Sequence, residues 1–282
     1  MATRSNPLPW SRRGQPAPKI DTSIPHRARV YDYWLGGKDN FEADRKVAIA
    51  TATASPGVVQ GARDNHAFLG RAVRYIAEQG VAQFLRLSTD ITAHGNVHEV
   101  AQAVNPAARI AYVDDDPIVM AHARALLRGT PAGKIAYIEA DLREPDTVLG
   151  HPDVCATIDF AQPVGLVIVG TLMFVDDSAD PFGMVRRFTD AIAPGSYLAI
   201  SHVTADFNPE AVNASARAYN TGPVKFTPRS GAQIARFFEG FTVVEPGLVK
   251  VFDWRPDETV VPAERTAGGA YGAVGVKVPR GG

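Results

Sequence analysis

Three short polar turns hold the side chains in this sequence that could do chemistry. FLRLSTDITAHGN at 84–96 runs from an apolar segment into a helical pattern, AYVDDDP at 111–117 ends the next apolar segment, and EADLREP at 139–145 ends the one after. An acid at the end of a second strand can accept hydrogen bonds from both hydroxyls of a ribose, because that strand end lies beside the first loop. Asp114 is the candidate. The competing reading is a helix N-cap before Pro117, a task that Asp116 fits equally well. In the third turn, Asp141 could accept from an exocyclic amine while Leu142 packs on a purine face. The first turn is the unusual one. Such loops normally carry glycines so that the backbone can approach a nucleotide closely. Here Ser88, Thr89 and Asp90 stand in the turn, entered from Arg86, and the only glycine, Gly95, comes late.

These turns need a framework to bring them together. From about residue 80, apolar runs alternate with helical patterns: FLRLS, RIAYVD, KIAYIEAD, the run beginning VGLVIVG at 164, and SYLAISHV. Strand and helix repeated with short links imply right-handed crossovers and a mostly parallel sheet covered on both faces, an α/β doubly wound core. Asn96 and Glu99 have the spacing of a capping box, and Pro117 sits where a first helical turn begins. FTVVEP and YGAVGVKV are expected to add an antiparallel pair at the sheet edge. Helices are expected at 208–219 and, capped by Ser230, at 231–239. Before the sheet, HRARVYDYWLGGKDNFEADRKVAIATATA and GARDNHAFLGRAVRYIAEQG read as helices, the first broken at Gly36-Gly37. The expected organisation is a flexible tail at 1–19, a helical lid at 20–80 and the Rossmann-like core at 81–282.

Composition narrows the function. The 282 residues are 45% hydrophobic and 21% charged, an ordinary globular balance. A net charge of -1 gives no general attraction to nucleic acid, so a small-molecule partner is expected. Residues 1–30 hold six Lys/Arg against one Asp, read as a solvated tail rather than a nucleic-acid arm. The single cysteine, Cys155, excludes an intramolecular disulfide and suits a reducing cytoplasm. It is placed in a loop and given no role. The longest nearly apolar run, 164–175, is twelve residues, too short for the roughly twenty of a membrane helix. His94 and His98 are four apart with no evident third ligand, so no metal is expected.

The sequence resembles the S-adenosylmethionine-dependent methyltransferases of actinobacteria that were long classed as a domain of unknown function. The resemblance is carried by IPHRARVYDYWLGGKDNFEADR, AFLGRAVRYIAEQGVAQFL, GNVHEVAQAVNPAARIAYVDDDPIVMAHARALL, EADLREP, PGSYLAISH and RSGAQIARFFEGFTVVEPGLV. It implies a seven-stranded sheet with S-adenosylmethionine at its carboxyl edge, Asp114 on the ribose and Asp141-Leu142 near adenine. The Gly36-Gly37-Lys38-Asp39-Asn40 turn is implied to face cofactor or substrate. The expected cofactor set is Tyr33, Gly36, Gly37, Ser88, Thr89, Asp90, Asp114, Asp115, Asp141, Leu142 and Thr171. Tyr31, Lys38, Asp39, Asn40 and His202 are expected on the substrate or lid side, His26 and Trp34 being weaker candidates there.

The family pattern at the first turn reads like LDIGTGLPT, and this chain departs from it. Arg86 replaces the aspartate, Ser88 and Asp90 replace two glycines, and Thr92 replaces the proline. A side chain at a left-handed backbone position costs roughly 1–2 kcal/mol, which a fold tolerates. An arginine about 6 Å from a sulfonium would cost roughly 3 kcal/mol at an effective dielectric near 20, about a hundredfold in affinity. Two functions of different class follow: a methyltransferase acting on a small metabolite, or a non-catalytic, regulatory homologue with an altered cofactor loop.

Overall fold

The computed structural model describes residues 21–89, 94–220, 225–257 and 269–279. The expected tail at 1–19, and Asp90 and Thr92 of the first turn, lie outside the described residues. The five expected parallel strands are β1 (Gln83–Leu87), β2 (Arg109–Asp114), β3 (Lys134–Glu139), β4 (Gly165–Val169) and β5 (Tyr197–Val203). They lie side by side in the order β3-β2-β1-β4-β5, so the chain reverses direction across the sheet between β1 and β4. In a doubly wound sheet, ligands bind at that reversal, beyond the carboxyl ends of the strands.

Beyond β5 the sheet turns antiparallel. β6 (Phe241–Val243) and β7 (Val249–Lys250) both pair with β8 (Ala270–Lys277), and β8 lies between β5 and β6. FTVVEP and YGAVGVKV therefore pair as expected. The sheet has eight strands rather than seven, because the two-residue β7 joins the pairing. So short a strand leaves no alternating pattern to read.

Each central strand is buried on both faces, and successive side chains go to opposite sides. Leu85, Leu87, Ala111, Val113, Ile168 and Ile200 face one core with Phe188 and Phe237. Phe84, Ile110, Tyr112, Val167 and Ala199 face the other with Phe68, Ile76 and Trp254. The caps form as the residue types dictate. Asn96 and Glu99 close a capping box on α4 (Val97–Val104), Pro117 opens α5 (Pro117–Leu126), and Ser230 caps α10 (Gly231–Ala235). Between β3 and β5 lie α6 (Pro145–Leu149), α7 (Pro152–Cys155) and α8 (Pro181–Ala191). Cys155 thus ends a four-residue helix rather than lying in a loop. α9 (Pro209–Tyr219) is the expected helix near 208–219.

The helices before the sheet are α1 (Arg27–Trp34), α2 (Glu42–Ala54) and α3 (Val58–Glu78), broken at Gly36-Gly37 as the sequence indicates. α3 is the bridge. Its Phe68, Val73 and Ile76 lie in the core under the sheet, while Tyr31 of α1 donates to the Ala62 carbonyl of α3 at 2.7 Å. Asn65 of α3 donates to the Tyr31 hydroxyl at 3.1 Å and accepts from Ser201 of β5, whose oxygen also accepts from the Gly170 amide. One hydrogen-bonded chain therefore runs from α1 to the carboxyl ends of β4 and β5. No helix among the described residues is long and apolar enough to cross a membrane.

Gly272 of β8 faces α3 so closely that an added Cβ would lie 2.8 Å from the Phe68 ring. Gly272→Ala should destabilise the protein by about 1–3 kcal/mol through overpacking. Thermal unfolding should show a fall in Tm of several degrees; an unchanged Tm would mean that α3 and β8 are not held this closely.

Candidate nucleoside-cofactor site

The turn after β1 keeps the backbone shape of a glycine loop without the glycine. Ser88 has φ +66°, in the left-handed region, and its amide bonds the Val113 carbonyl at 2.8 Å. Asp114, the last residue of β2, holds the strained conformation in place. Its Oδ2 accepts from the Thr89 amide at 2.8 Å and from Ser88 Oγ at 3.2 Å, and its Oδ1 accepts from the Asp116 amide at 3.0 Å. The serine hydroxyl thus finds a partner in the acid beside it. Burial pushes the Asp114 carboxyl above its ordinary pKa, and the nearby Arg27, His26 and backbone amides only partly oppose this. The capping task falls to Asp116, whose Oδ1 accepts from the Ile118 amide at 2.7 Å.

Sequence reading gave no role to Arg27 or Arg29, yet with His26 they meet the VDDD run. Arg27 Nη2 lies 2.8 Å from Asp115 Oδ1 and 3.7 Å from Asp114 Oδ2. His26 Nδ1 lies 3.0 Å from Asp116 Oδ2. Arg29, buried, sets its Nε 3.4 Å from Asp44 and 3.8 Å from Asp116 and donates from Nη2 to the Ile24 carbonyl at 2.7 Å. Asp44 also accepts from the His26 and Phe41 amides, both at 2.8 Å, joining the starts of α1 and α2. Burial opposes the charge on Arg27, but Asp114 and Asp115 outweigh it and hold the guanidinium above its ordinary pKa. The signal missed in the sequence was the complementary pair itself, HRAR at 26–29 against DDD at 114–116. His26, Asp114 and Asp115 each place a possible ligand atom within 4.8 Å of the others. The cation there is Arg27.

The neighbouring strand ends complete the rim. Asp141, at the end of β3, is gripped by Arg143 at 2.9 Å and 2.6 Å, and its side chain is 32% exposed. Burial raises the Asp141 pKa, but the bonds and charge of Arg143 win and lower it. Leu142 is turned into the core and is 5% exposed, so it does not offer the purine face expected of it. Thr171, buried beyond β4, bonds the Val169 carbonyl at 3.2 Å. Arg86 reaches across to the same strand end, its Nη2 donating to the Val169 carbonyl at 2.9 Å. It is 1% exposed and lies within the sheet as a structural cation.

The glycine-rich turn is organised by Asp32, a residue the sequence reading did not single out. Its Oδ2 accepts from the Asp39 amide at 2.9 Å and from Asn40 Nδ2 at 2.8 Å, and burial raises its pKa. A Cβ on Gly37 would fall 1.8 Å from Asp32 Oδ1, so the turn can wrap this carboxylate only with glycine there. Asp39 pairs with His122 of α5 at 3.4 Å, and Lys38 is exposed. Tyr33 and Gly36 line a separate open groove of about 500 Å³ with Trp34, Ile49, Val59 and Arg63, between α1, α2 and α3. His202 is a correction. Its ring is fully buried, with Nδ1 donating to the Val203 carbonyl at 2.8 Å and Nε2 accepting from Arg229 at 2.9 Å. Burial lowers its pKa to about 3. A neutral imidazole with both nitrogens engaged cannot take a proton from a substrate.

A doubly wound sheet with acids beside the ends of β2 and β3, and a left-handed turn after β1, is an arrangement at whose carboxyl rim α/β proteins take nucleoside ligands. The model of the S-adenosyl methyltransferase family matches residues 13–278, and the chain belongs to that family. A DUF574-family protein from Streptomyces avermitilis is 41% identical, with a TM-score of 0.89 over 92% of this chain and 100% of that one. A candidate methyltransferase from Thermobifida fusca is 40% identical, with a TM-score of 0.86 over 95% and 100%. No curated protein matches the sequence.

The family's cofactor is S-adenosylmethionine, and the rim fits its nucleoside end. Asp115 and Asp141 stand about one-third exposed beside adjacent strand ends. Thr89 Oγ1 is buried with no partner among the described residues.

Despite its burial, Asp116 is held below its ordinary pKa by the hydrogen bond and charge of His26 and by the Ile118 amide. A carboxylate lowered on folding contributes stability above its unfolded pKa and loses it as pH falls through the folded value. Asp116→Asn keeps the helix cap but removes the charge. It should lower stability near pH 6 and leave a shallower decline toward about pH 3 in urea denaturation. Parallel curves for the two proteins would count against the pairing.

Proposed function

We propose that this protein transfers the methyl group of S-adenosylmethionine to a small-molecule acceptor, binding the cofactor at the rim formed by the ends of β1 to β4. The observation that carries this reading is the joining of Asp114 to the 88–89 turn, with Asp115 and Asp141 partly exposed beside it. When bound, the cofactor supplies a methyl group activated by its sulfonium. Asp115 and Asp114 would accept from the ribose hydroxyls, and Asp141 from the adenine amine. Arg86 is directed into the sheet to the Val169 carbonyl, which weakens the charge objection raised by its replacement of an aspartate.

Methyl transfer to a nucleophile demands alignment more than a strong acid or base. With His202 sequestered, this reading names no general base. The contribution of α1 and α2 is to act as a lid: tied through Tyr31 to Asn65 of the core helix α3 and from there to Ser201, they would exclude water and orient the acceptor. A small acceptor suits the near-neutral charge of the chain and a covered rim.

One observation favours the second reading, a homologue that has lost catalysis: each rim acid already has an arginine partner, Arg27 or Arg143. Calorimetry with S-adenosylmethionine and S-adenosylhomocysteine separates the two. The enzyme reading expects micromolar binding of both and a loss of about tenfold or more in Asp141→Ala, as for removal of a hydrogen bond to a charged group. Absence of binding to either compound would leave the non-catalytic reading.

A further inference from the structure

We propose that Arg27 is an intramolecular occupant of the nucleoside site, competing with the ribose for Asp114 and Asp115 and thereby setting the affinity for the cofactor. This rests on the cofactor reading above. The lone pairs of Asp114 are nearly all committed within the protein, to the Thr89 amide, Ser88 Oγ and the Asp116 amide. The carboxylate itself has no exposure, and the remaining approach to it is the one taken by Arg27 Nη2 at 3.7 Å. A ribose hydroxyl and this guanidinium therefore seek the same position. Asp115, the better exposed acid, is held by the same nitrogen at 2.8 Å.

Arg27 is built to leave without releasing its helix. The start of α1 is fixed by its neighbours: His26 on Asp116 and Asp44, and Arg29 on Asp44 and the Ile24 carbonyl. Arg27 is the arginine that points at Asp114 and Asp115, where His26 stands only as a more distant neighbour, its Nε2 3.9 Å from Asp115 Oδ1. Its hold is also incomplete, since its Nε is buried with no hydrogen-bond partner among the described residues. An arginine pinned on all sides would make bonds from both edges of its guanidinium. Here Nη2 carries the grip, so rotation of one side chain opens the carboxylates while α1 stays in place.

The test is calorimetric titration of the full chain with S-adenosylhomocysteine, comparing the native protein with Arg27→Met, which keeps an unbranched side chain and removes the charge. The variant should bind about tenfold more tightly or better, the gain corresponding to about 1.4 kcal/mol. A second signature needs no variant. Asp115 is about one-third exposed, so salt partly screens its pair with Arg27, and raising the ionic strength should modestly tighten ligand binding by the native protein, with a smaller change in Arg27→Met. Equal or weaker binding by the variant, or native affinity that falls with salt as in the variant, overturns the competition while the cofactor site stands. Failure of both proteins to bind overturns the cofactor reading and the competition with it.

Discussion

Buried negative charge at the end of β2 is the constraint on which the candidate site depends. A carboxylate withdrawn from water must be met by hydrogen bonds or by opposite charge, or it does not remain ionised. Asp114 and Asp116 meet that demand from two directions. Backbone amides and Ser88 supply it from within the sheet, and His26, Arg27 and Arg29 supply it from α1. The turn after β1, the cap of α5 and the position of the first helix are thus solved together. Removing the Asp114 side chain alters a loop and a lid contact, and removing that of Asp116 a helix start and a lid contact.

The same logic explains how the chain tolerates the loss of glycine at position 88. A left-handed serine is strained, and its hydroxyl would be an added burden if left without a partner in a buried place. Asp114 turns that hydroxyl into a bond and fixes the adjacent Thr89 amide with it. At Ser88 the left-handed turn is therefore held by local compensation. Arg86 follows a similar rule, since a guanidinium inside a sheet is tolerable when a carbonyl such as that of Val169 receives it.

Much of the scaffold was legible because it is written in short-range patterns. The parallel strands follow from apolar runs, α4 from Asn96 and Glu99, the start of α5 from Pro117, and the break after α1 from Gly36-Gly37. The features that escaped depend on partners distant in sequence. His202 read as an available histidine because its partner, Arg229, lies 27 positions away. Arg27 read as part of a basic segment because its acids lie nearly ninety positions on, Asp115 being separated from it by 88. Asp32 was passed over although it shapes the most distinctive block in the chain, since a carboxylate in a helix gives no sign that the following turn will fold back on it. Leu142 was expected against a purine, yet it is buried in the core, because a turn after a strand gives no sign of which way its leucine faces.

The placement of β8 has a consequence for how the molecule comes into being. This strand lies between β5 and β6 although it follows both in the chain, and β7 also pairs with it. On the ribosome, the parallel half of the sheet can assemble while its β5 edge stays exposed until residues 270–277 have been synthesised. The nascent chain must keep that bare, aggregation-prone margin from other strands for the length of about seventy further residues, which makes delivery of its last strand the step that protects all the earlier ones.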